Sequence, residues 1–222
     1  MLYIVATPIG NLKDLTFRAL EILQSVDVVL CEDTRQTRKL LDHFKIDKKM
    51  ISLHQHSSDE KMIALLGQFS EIAYVSDAGT PGISDPGSKL VEIAAKLGVD
   101  VSPIPGPCAA IAALSASGLP ADKFLFLGFL PKKGQGRILE QIKNSPVTVC
   151  FYESPHRIIK TLETLKTVVS SERRIVVCRE LTKKFETIYR GTMSDILTQI
   201  KGREKGEFAV IVAAVSNFQS YK

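Results

Sequence analysis

Apolar and polar positions along the chain follow two periods. Short β-branched runs predict strands at LYIVA (2–6), DVVLCE (27–32), EIAYVSD (71–77) and VDVSPIPG (99–106), with a further candidate at ISLHQH (51–56). Between them, TFRALEILQSV (16–26), TRQTRKLLDHF (34–44), SDEKMIALLGQF (58–69) and PGSKLVEIAAKLG (86–98) carry apolar residues at helical spacing. The last has Pro in its first turn and Gly at its end, as a helix should. CAAIAALSASG (108–118) is apolar on every side, which predicts a buried helix. Strands apolar on both faces, alternating with helices, predict an α/β domain built on a parallel sheet.

The second half changes texture. KFLFLGFLPKKGQGR (123–137) reads as an aromatic strand running into a basic, glycine-rich loop. SPVTVCFYES (145–154), RRIVVCREL (173–181), FETIYRGTM (185–193) and KGEFAVIVAAV (205–215) read as strands, with helices at 155–169 and 193–201. Two of these strands follow one another with no room for a helix between them, so the second sheet is expected to be mixed. The domain boundary is placed in SASGLPAD, giving domains at 1–116 and 117–222. No repeat or low-complexity stretch interrupts the pattern.

Of the 222 residues, 45% are apolar and 24% charged, enough apolar material for a sizeable core and too much for a disordered chain. No apolar run reaches the length of a membrane span. The N-terminal segment lacks a basic region and a cleavage site, so a cytoplasmic location is expected. Cys31, Cys108, Cys150 and Cys178 are widely spaced, which predicts four reduced thiols, most of them packed as small hydrophobes. The net charge of +5 is unevenly divided: residues 1–110 carry 11 Lys+Arg against 14 Asp+Glu, and residues 111–222 carry 18 against 10. A basic half suits a polyanionic partner.

Ligands of open α/β sheets bind at the carboxyl ends of strands. Six such ends are rich in functional groups: the segments 6–12, 32–35, 76–87, 105–107, 152–157 and 179–184. Turn geometry and helix capping explain any one of them, since Gly, Pro, Asp and Ser serve both purposes; six together point to a binding site. Several familiar chemistries are missing. No G-x-G-x-x-G follows the first strand, which argues against a nicotinamide site and against the commonest methyltransferase fingerprint. Gly82 to Lys89 reads G-x-x-x-x-G-S-K, with Lys and Ser swapped relative to a phosphate-binding loop and Pro86 removing an amide. His54 and His56 share one face of the expected strand, but no further ligands have metal spacing, so no metal site is expected. Cys178 has no local histidine to activate it as a nucleophile. What remains, above all Asp77-Ala78-Gly79-Thr80-Pro81-Gly82, can bring bare backbone close to a ligand. With a helix N-terminus after Pro107 to receive a carboxylate, such loops suit a flexible zwitterionic cofactor.

The runs ATPIGNL, EDTR, SDAGTPGISDPG, PGP, FYESPHR and RELTKKFE occur in this order. With these runs the chain resembles the tetrapyrrole methylase superfamily of S-adenosylmethionine enzymes over roughly residues 1–213. Within it, the chain is similar to the branch that 2′-O-methylates a cytidine ribose in 16S ribosomal RNA of the small subunit. The resemblance implies two α/β domains, the first mostly parallel and the second mixed, with S-adenosylmethionine in the cleft between them, and a homodimer. Carried onto this chain, it implies cofactor contacts at Pro8, at Asp77, Gly79 and Thr80, at Cys108 and Ala109, and at Tyr152, Glu153, Leu181 and Ala209. Gln55 and Ser57 depart from the H-E-H-N of relatives. Relatives often continue into a small helical tail, whereas this sequence ends at Lys222.

A neutral ribose hydroxyl is a poor nucleophile and needs a base or a cationic neighbour. Candidate bases are Glu32, Asp33, Glu153 and Glu180, and candidate cations are Arg35, Arg157, Arg179 and Lys183. The acceptor site is assigned to Asp33 and Arg35 beside Glu153 and Arg157, with structural ion pairing as the competing role. RNA contacts are expected at Lys132, Lys133 and Arg137 on the glycine loop and at Lys183 and Lys184. Phe124, Phe126 and Phe129 are expected in the core rather than as a base-stacking platform. Two other functions stay open: carbon methylation of a corrin or porphyrin, and RNA binding without catalysis.

Overall fold

The structure is a computed structural model that describes residues 1–54, 56–83 and 87–215. Gln55, the Ser84-Asp85-Pro86 stretch that includes the expected helix-opening proline, and the final residues to Lys222 lie outside the described residues. The chain forms two compact units, Met1–Cys108 and Ala109–Lys222.

In the first unit, β1 (Leu2–Val5), β2 (Val28–Cys31), β3 (Met50–Ser52), β4 (Ile72–Val75) and β5 (Val101–Ile104) form a sheet in the order β3-β2-β4-β1-β5. All its pairs are parallel. Parallel strands need crossovers, and four helices supply them: α1 (Phe17–Ser25), α2 (Thr34–His43), α3 (Asp59–Gln68) and α4 (Gly87–Lys96). Strand alternation divides the core in two. Leu2, Leu30, Ile72 and Tyr74 pack with Met62, Leu65, Leu90 and Ile93 of α3 and α4. Val5, Val29, Ala73 and Val75 pack with Ala19, Leu23 and Leu41 of α1 and α2. Thr16 caps α1 through its side chain, as Ser58 caps α3.

In the second unit, the sheet order is β6-β7-β10-β8-β9 for β6 (Phe124–Phe129), β7 (Thr148–Glu153), β8 (Ile175–Arg179), β9 (Thr187–Gly191) and β10 (Phe208–Val212). Only the β6–β7 pair is parallel, so the sheet is mixed as expected. One face carries α6 (Gly136–Asn144), α7 (Ile158–Val168) and α8 (Met193–Ile200), joined around Val149, Phe151, Val177 and Val210. The apolar helix α5 (Ala109–Ser117) packs on β10 and β7. This contact puts α5 in the second unit, so the division falls at its start rather than at the expected 116/117.

Three further expectations are corrected. Residues 138–144, for which the sequence pattern predicts no element, are helical: Ile138, Leu139 and Ile142 form a stripe on the second core, and Arg137 sits in the first turn of α6 rather than in a loop. The strand expected at 51–56 stops at Ser52, because His54 turns back, with Ser57 N donating to the His54 carbonyl at 2.8 Å. His54 and His56 therefore share no strand face. Finally, Phe124 and Phe129 are exposed, because both lie on the face of β6 opposite the α6–α7 core. Among the described residues, no helix is long and apolar enough to cross a membrane.

Candidate functional site

Four loops leave the carboxyl edge of the first sheet, and they are bonded to one another. After β1, Thr7 forms an isolated antiparallel bridge with Gly79 of the β4 loop, with N–H···O distances of 2.9 and 3.1 Å. The Thr80 hydroxyl donates to the Pro107 carbonyl of the β5 loop at 2.9 Å. The Asp33 amide of the β2 loop donates to Asp77 at 3.1 Å. Gly79 has φ +83°, a backbone region that side chains rarely occupy, and a Cβ there would stand 3.3 Å from Ile9. A Cβ on Gly106 would stand 2.9 Å from the Ala6 side chain. Both glycines are thus required by close approach of the loops.

Asp33 caps α2 by accepting from the Arg35 amide at 2.8 Å, and its carboxylate also receives the Arg35 guanidinium at 2.7 Å. Those bonds from Arg35 hold the Asp33 carboxyl down to about 2. Arg35 itself stays exposed, with 87% of its side chain in solvent. The Asp77 carboxyl is pushed up, chiefly by partial desolvation, with the Asp33 charge adding to it. The signs give an acid-stability prediction. A depressed Asp33 stabilises the fold above about pH 4 and loses that contribution as pH falls toward about 2. Asp33→Asn keeps the cap but not the charge. In acid-unfolding titrations it should be less stable than the parent at neutral pH, with the gap closing by about pH 2.

In the second unit, strand register sorts the expected residues onto two faces. Tyr152 of β7 pairs with Ala209 of β10, and Ala209 with Cys178 of β8, so these positions form one row. The Tyr152 hydroxyl accepts from the Ala110 amide at 3.0 Å, in the first turn of α5. Cys178 is buried and its thiol is pushed up to about 11 by desolvation, so it is protonated at neutral pH and no nucleophile.

Glu153 points the other way. It is 1% exposed, accepts from Thr161 at 2.7 Å and from the Ser154 amide at 2.7 Å, and pairs with Arg157 at 2.7 Å. Arg157 in turn donates to the Leu130 carbonyl at 2.9 Å. This pair braces the β7–α7 turn within one unit, on the face opposite Tyr152. Leu181 lies between two non-glycine residues in the left-handed region, Glu180 (φ 54°) and Thr182 (φ 66°). The Glu180 carboxylate accepts from Lys183 at 3.1 Å and from the Glu207 amide at 2.9 Å, and Glu207 takes Lys183 at 2.8 Å. Lys183 is thereby neutralised and half-buried, while Lys132, Lys133, Arg137 and Lys184 remain exposed. The Glu180–Lys183 brace was not legible in the sequence, because its partner Glu207 is distant along the chain.

Among the described residues, no group of three His, Cys, Asp or Glu side chains could hold a metal. The first unit offers peptide groups and an exposed carboxylate at Asp77. This donor set suits a ligand that carries a positive centre.

A wholly parallel sheet with bonded loops at its carboxyl edge, followed by a mixed sheet, defines a two-unit α/β protein. The chain belongs to the tetrapyrrole methylase family: residues 1–197 match the family of tetrapyrrole (corrin/porphyrin) methylases. It is 50% identical over 219 residues to a ribosomal RNA small subunit methyltransferase I of Escherichia coli O157:H7, covering 95% of this chain and 77% of the relative. It is 51% identical to the Vibrio cholerae protein of that name, covering 96% and 76%. In structure it is similar to a uroporphyrin-III C-methyltransferase of Thermus thermophilus solved with S-adenosylhomocysteine, with a TM-score of 0.67, 16% identity and 96% of each chain covered.

Proposed function

We propose that this chain is an S-adenosylmethionine-dependent methyltransferase that methylates the ribose 2′-oxygen of a cytidine in 16S ribosomal RNA of the small subunit. The observation that carries this reading is the knit of the β1, β2, β4 and β5 loops, which builds a ligand site from peptide groups in a chain half identical to enzymes named for small-subunit ribosomal RNA. Those relatives favour RNA over a tetrapyrrole as the acceptor.

S-adenosylmethionine, when bound, supplies an electrophilic methyl group on a sulfonium. Pro8, Asp77, Gly79, Thr80 and Cys108 of the first unit, and Ala109, Tyr152, Leu181 and Ala209 of the second, are the residues proposed to hold it. Asp77 offers the negative charge that a sulfonium or ammonium requires, and the Gly79 backbone permits close approach. Holding the nucleophile in line with the methyl carbon can lower the barrier by up to about 7–11 kcal/mol.

The acceptor site is assigned to Arg35, positioned by Asp33. An Asp held near 2 is too weak a base to take the ribose proton, which passes to solvent water as the oxygen–methyl bond forms and the carbon–sulfur bond breaks, but it fixes the exposed guanidinium that can steady the developing alkoxide. Glu153 holds Arg157 and the turn. Arg35→Ala should lower kcat by about 100-fold, and Asp33→Ala by about 10-fold, with cofactor affinity nearly unchanged in both. Steady-state kinetics with separate cofactor titrations check this; normal turnover in both variants would remove the assignment.

Lys132, Lys133, Arg137 and Lys184 supply phosphate contacts, and each should steepen the salt dependence of RNA binding by about 0.7 in log–log slope. The protein is proposed to act in the cytoplasm as a homodimer. The function is tested by nuclease digestion and mass mapping of small-subunit RNA from cells with and without this protein: one 2′-O-methylcytidine should appear only with it, and identical maps would refute the reading.

A further inference from the structure

The aromatic row on β6 has an exposure and an aim that the expected core role does not explain. In the β6–β7 ladder, Phe126 pairs with Cys150, but Tyr152, two residues on, pairs with Phe129, three residues on. The extra residue is absorbed near Gly128, whose φ is +60°. Bulges re-aim the side chains that follow them. In a regular strand, Phe129 would turn to the side of Leu125 and Leu127, which pack on the α6–α7 core. The bulge instead returns it to the side of Phe124 and Phe126. There Phe126 and Phe129 flank Tyr152 with ring centroids 5.0 and 5.4 Å away. Phe129 is 59% exposed and Phe124 39%.

A single exposed phenylalanine is ordinary. Here the strand runs directly into a tight basic turn: Gln135 donates to the Pro131 carbonyl at 2.8 Å, leaving Lys132 and Lys133 exposed at its tip and Arg137 exposed in the first turn of α6. Exposed rings beside exposed cations, with no acidic residue between Phe124 and Arg137, match a strand whose bases and phosphates are both accessible. Duplex RNA keeps its bases stacked, and proteins that read single strands stack them on aromatic rings. Tyr152 links this platform to the start of α5, where Ala109 is a proposed cofactor contact.

We infer that the bulged edge of β6 is a docking surface for single-stranded RNA, on which Phe129 stacks an unpaired base of the acceptor while Lys132, Lys133 and Arg137 hold the neighbouring phosphates. This rests on the proposed RNA methyltransferase reading and sharpens it: the acceptor nucleotide is met unpaired.

The test uses the full chain and fluorescence anisotropy with a labelled ten-nucleotide oligocytidylate, free or annealed to its complement. The single strand should bind at least about 10-fold tighter than the duplex. Phe129→Ala should weaken single-strand binding by about 10- to 100-fold, with Phe129→Trp restoring it. The salt slope should be unchanged in Phe129→Ala and reduced in Lys132→Gln/Lys133→Gln. Equal binding of strand and duplex, or unaltered affinity in Phe129→Ala, would overturn the inference. So would sedimentation showing that Phe129→Ala converts a dimer to monomers, since a second copy would then occupy this edge. S-adenosylhomocysteine titration of the same samples separates the failures. If the cofactor analogue binds and small-subunit RNA is methylated while Phe129→Ala is silent, only this inference falls; if neither ligand binds the parent protein, the functional reading falls with it.

Discussion

Replacing Arg157 with alanine is expected to destabilise the second unit by about 3–5 kcal/mol, the usual cost of leaving one member of a buried ion pair alone. Glu153 is 1% exposed, and three groups converge on its two oxygens: the Arg157 guanidinium, the Thr161 hydroxyl and the Ser154 amide. Removing the guanidinium strands a carboxylate against the α7 core and also orphans the Leu130 carbonyl at the end of the β6 segment. Thermal unfolding should move down by on the order of 10 °C. The double variant Glu153→Gln/Arg157→Met, which removes both charges, should recover a large part of that loss. If the two residues instead acted on substrate in a catalytic exchange of protons, Arg157→Ala would abolish turnover while leaving the melting temperature in place.

The second large effect is expected at Gly79. Valine there must adopt φ +83° with a branched side chain whose Cβ lies 3.3 Å from Ile9 and 3.6 Å from the Pro107 carbonyl. β-Branched residues are true outliers in that region. The substitution therefore shifts the backbone that bonds Thr7 on one side and, through Thr80, the Pro107 carbonyl on the other. Strain of about 1–3 kcal/mol is expected to be relieved by parting the loops, so affinity for S-adenosylhomocysteine should drop by at least about 10-fold. Gly79→Ala should show the same trend at smaller size. Calorimetric titration of both variants, with the melting temperature recorded alongside, checks the ordering.

The α/β alternation and the mixed second sheet were legible because each rests on local periodicity. α6 is hidden in the sequence because a basic, glycine-containing start masks its stripe of Ile138, Leu139 and Ile142. The helix α5 reads as buried, but its apolar surface is symmetric, and nothing in it says which sheet it joins. The loops of the candidate site stand out by residue type. Their mutual bonds, Thr7 with Gly79, Thr80 with Pro107 and Asp33 with Asp77, do not, because they join residues distant along the chain. The opposite facing of Tyr152 and Glu153 follows from strand alternation alone and was available in the FYES run. The exposed aim of Phe129 was hidden, because a bulge has no reliable mark beyond a glycine.

We propose that loops at the carboxyl edge of the first sheet grip the adenosyl cofactor, and the thioether left after methyl transfer, mainly through peptide groups. Titration calorimetry of the purified, folded chain with S-adenosylhomocysteine tests it most directly. One site per chain, weakened by Gly79→Val and nearly unaffected by Arg35→Ala, is the predicted result; no heat of binding from protein that unfolds cooperatively would contradict it.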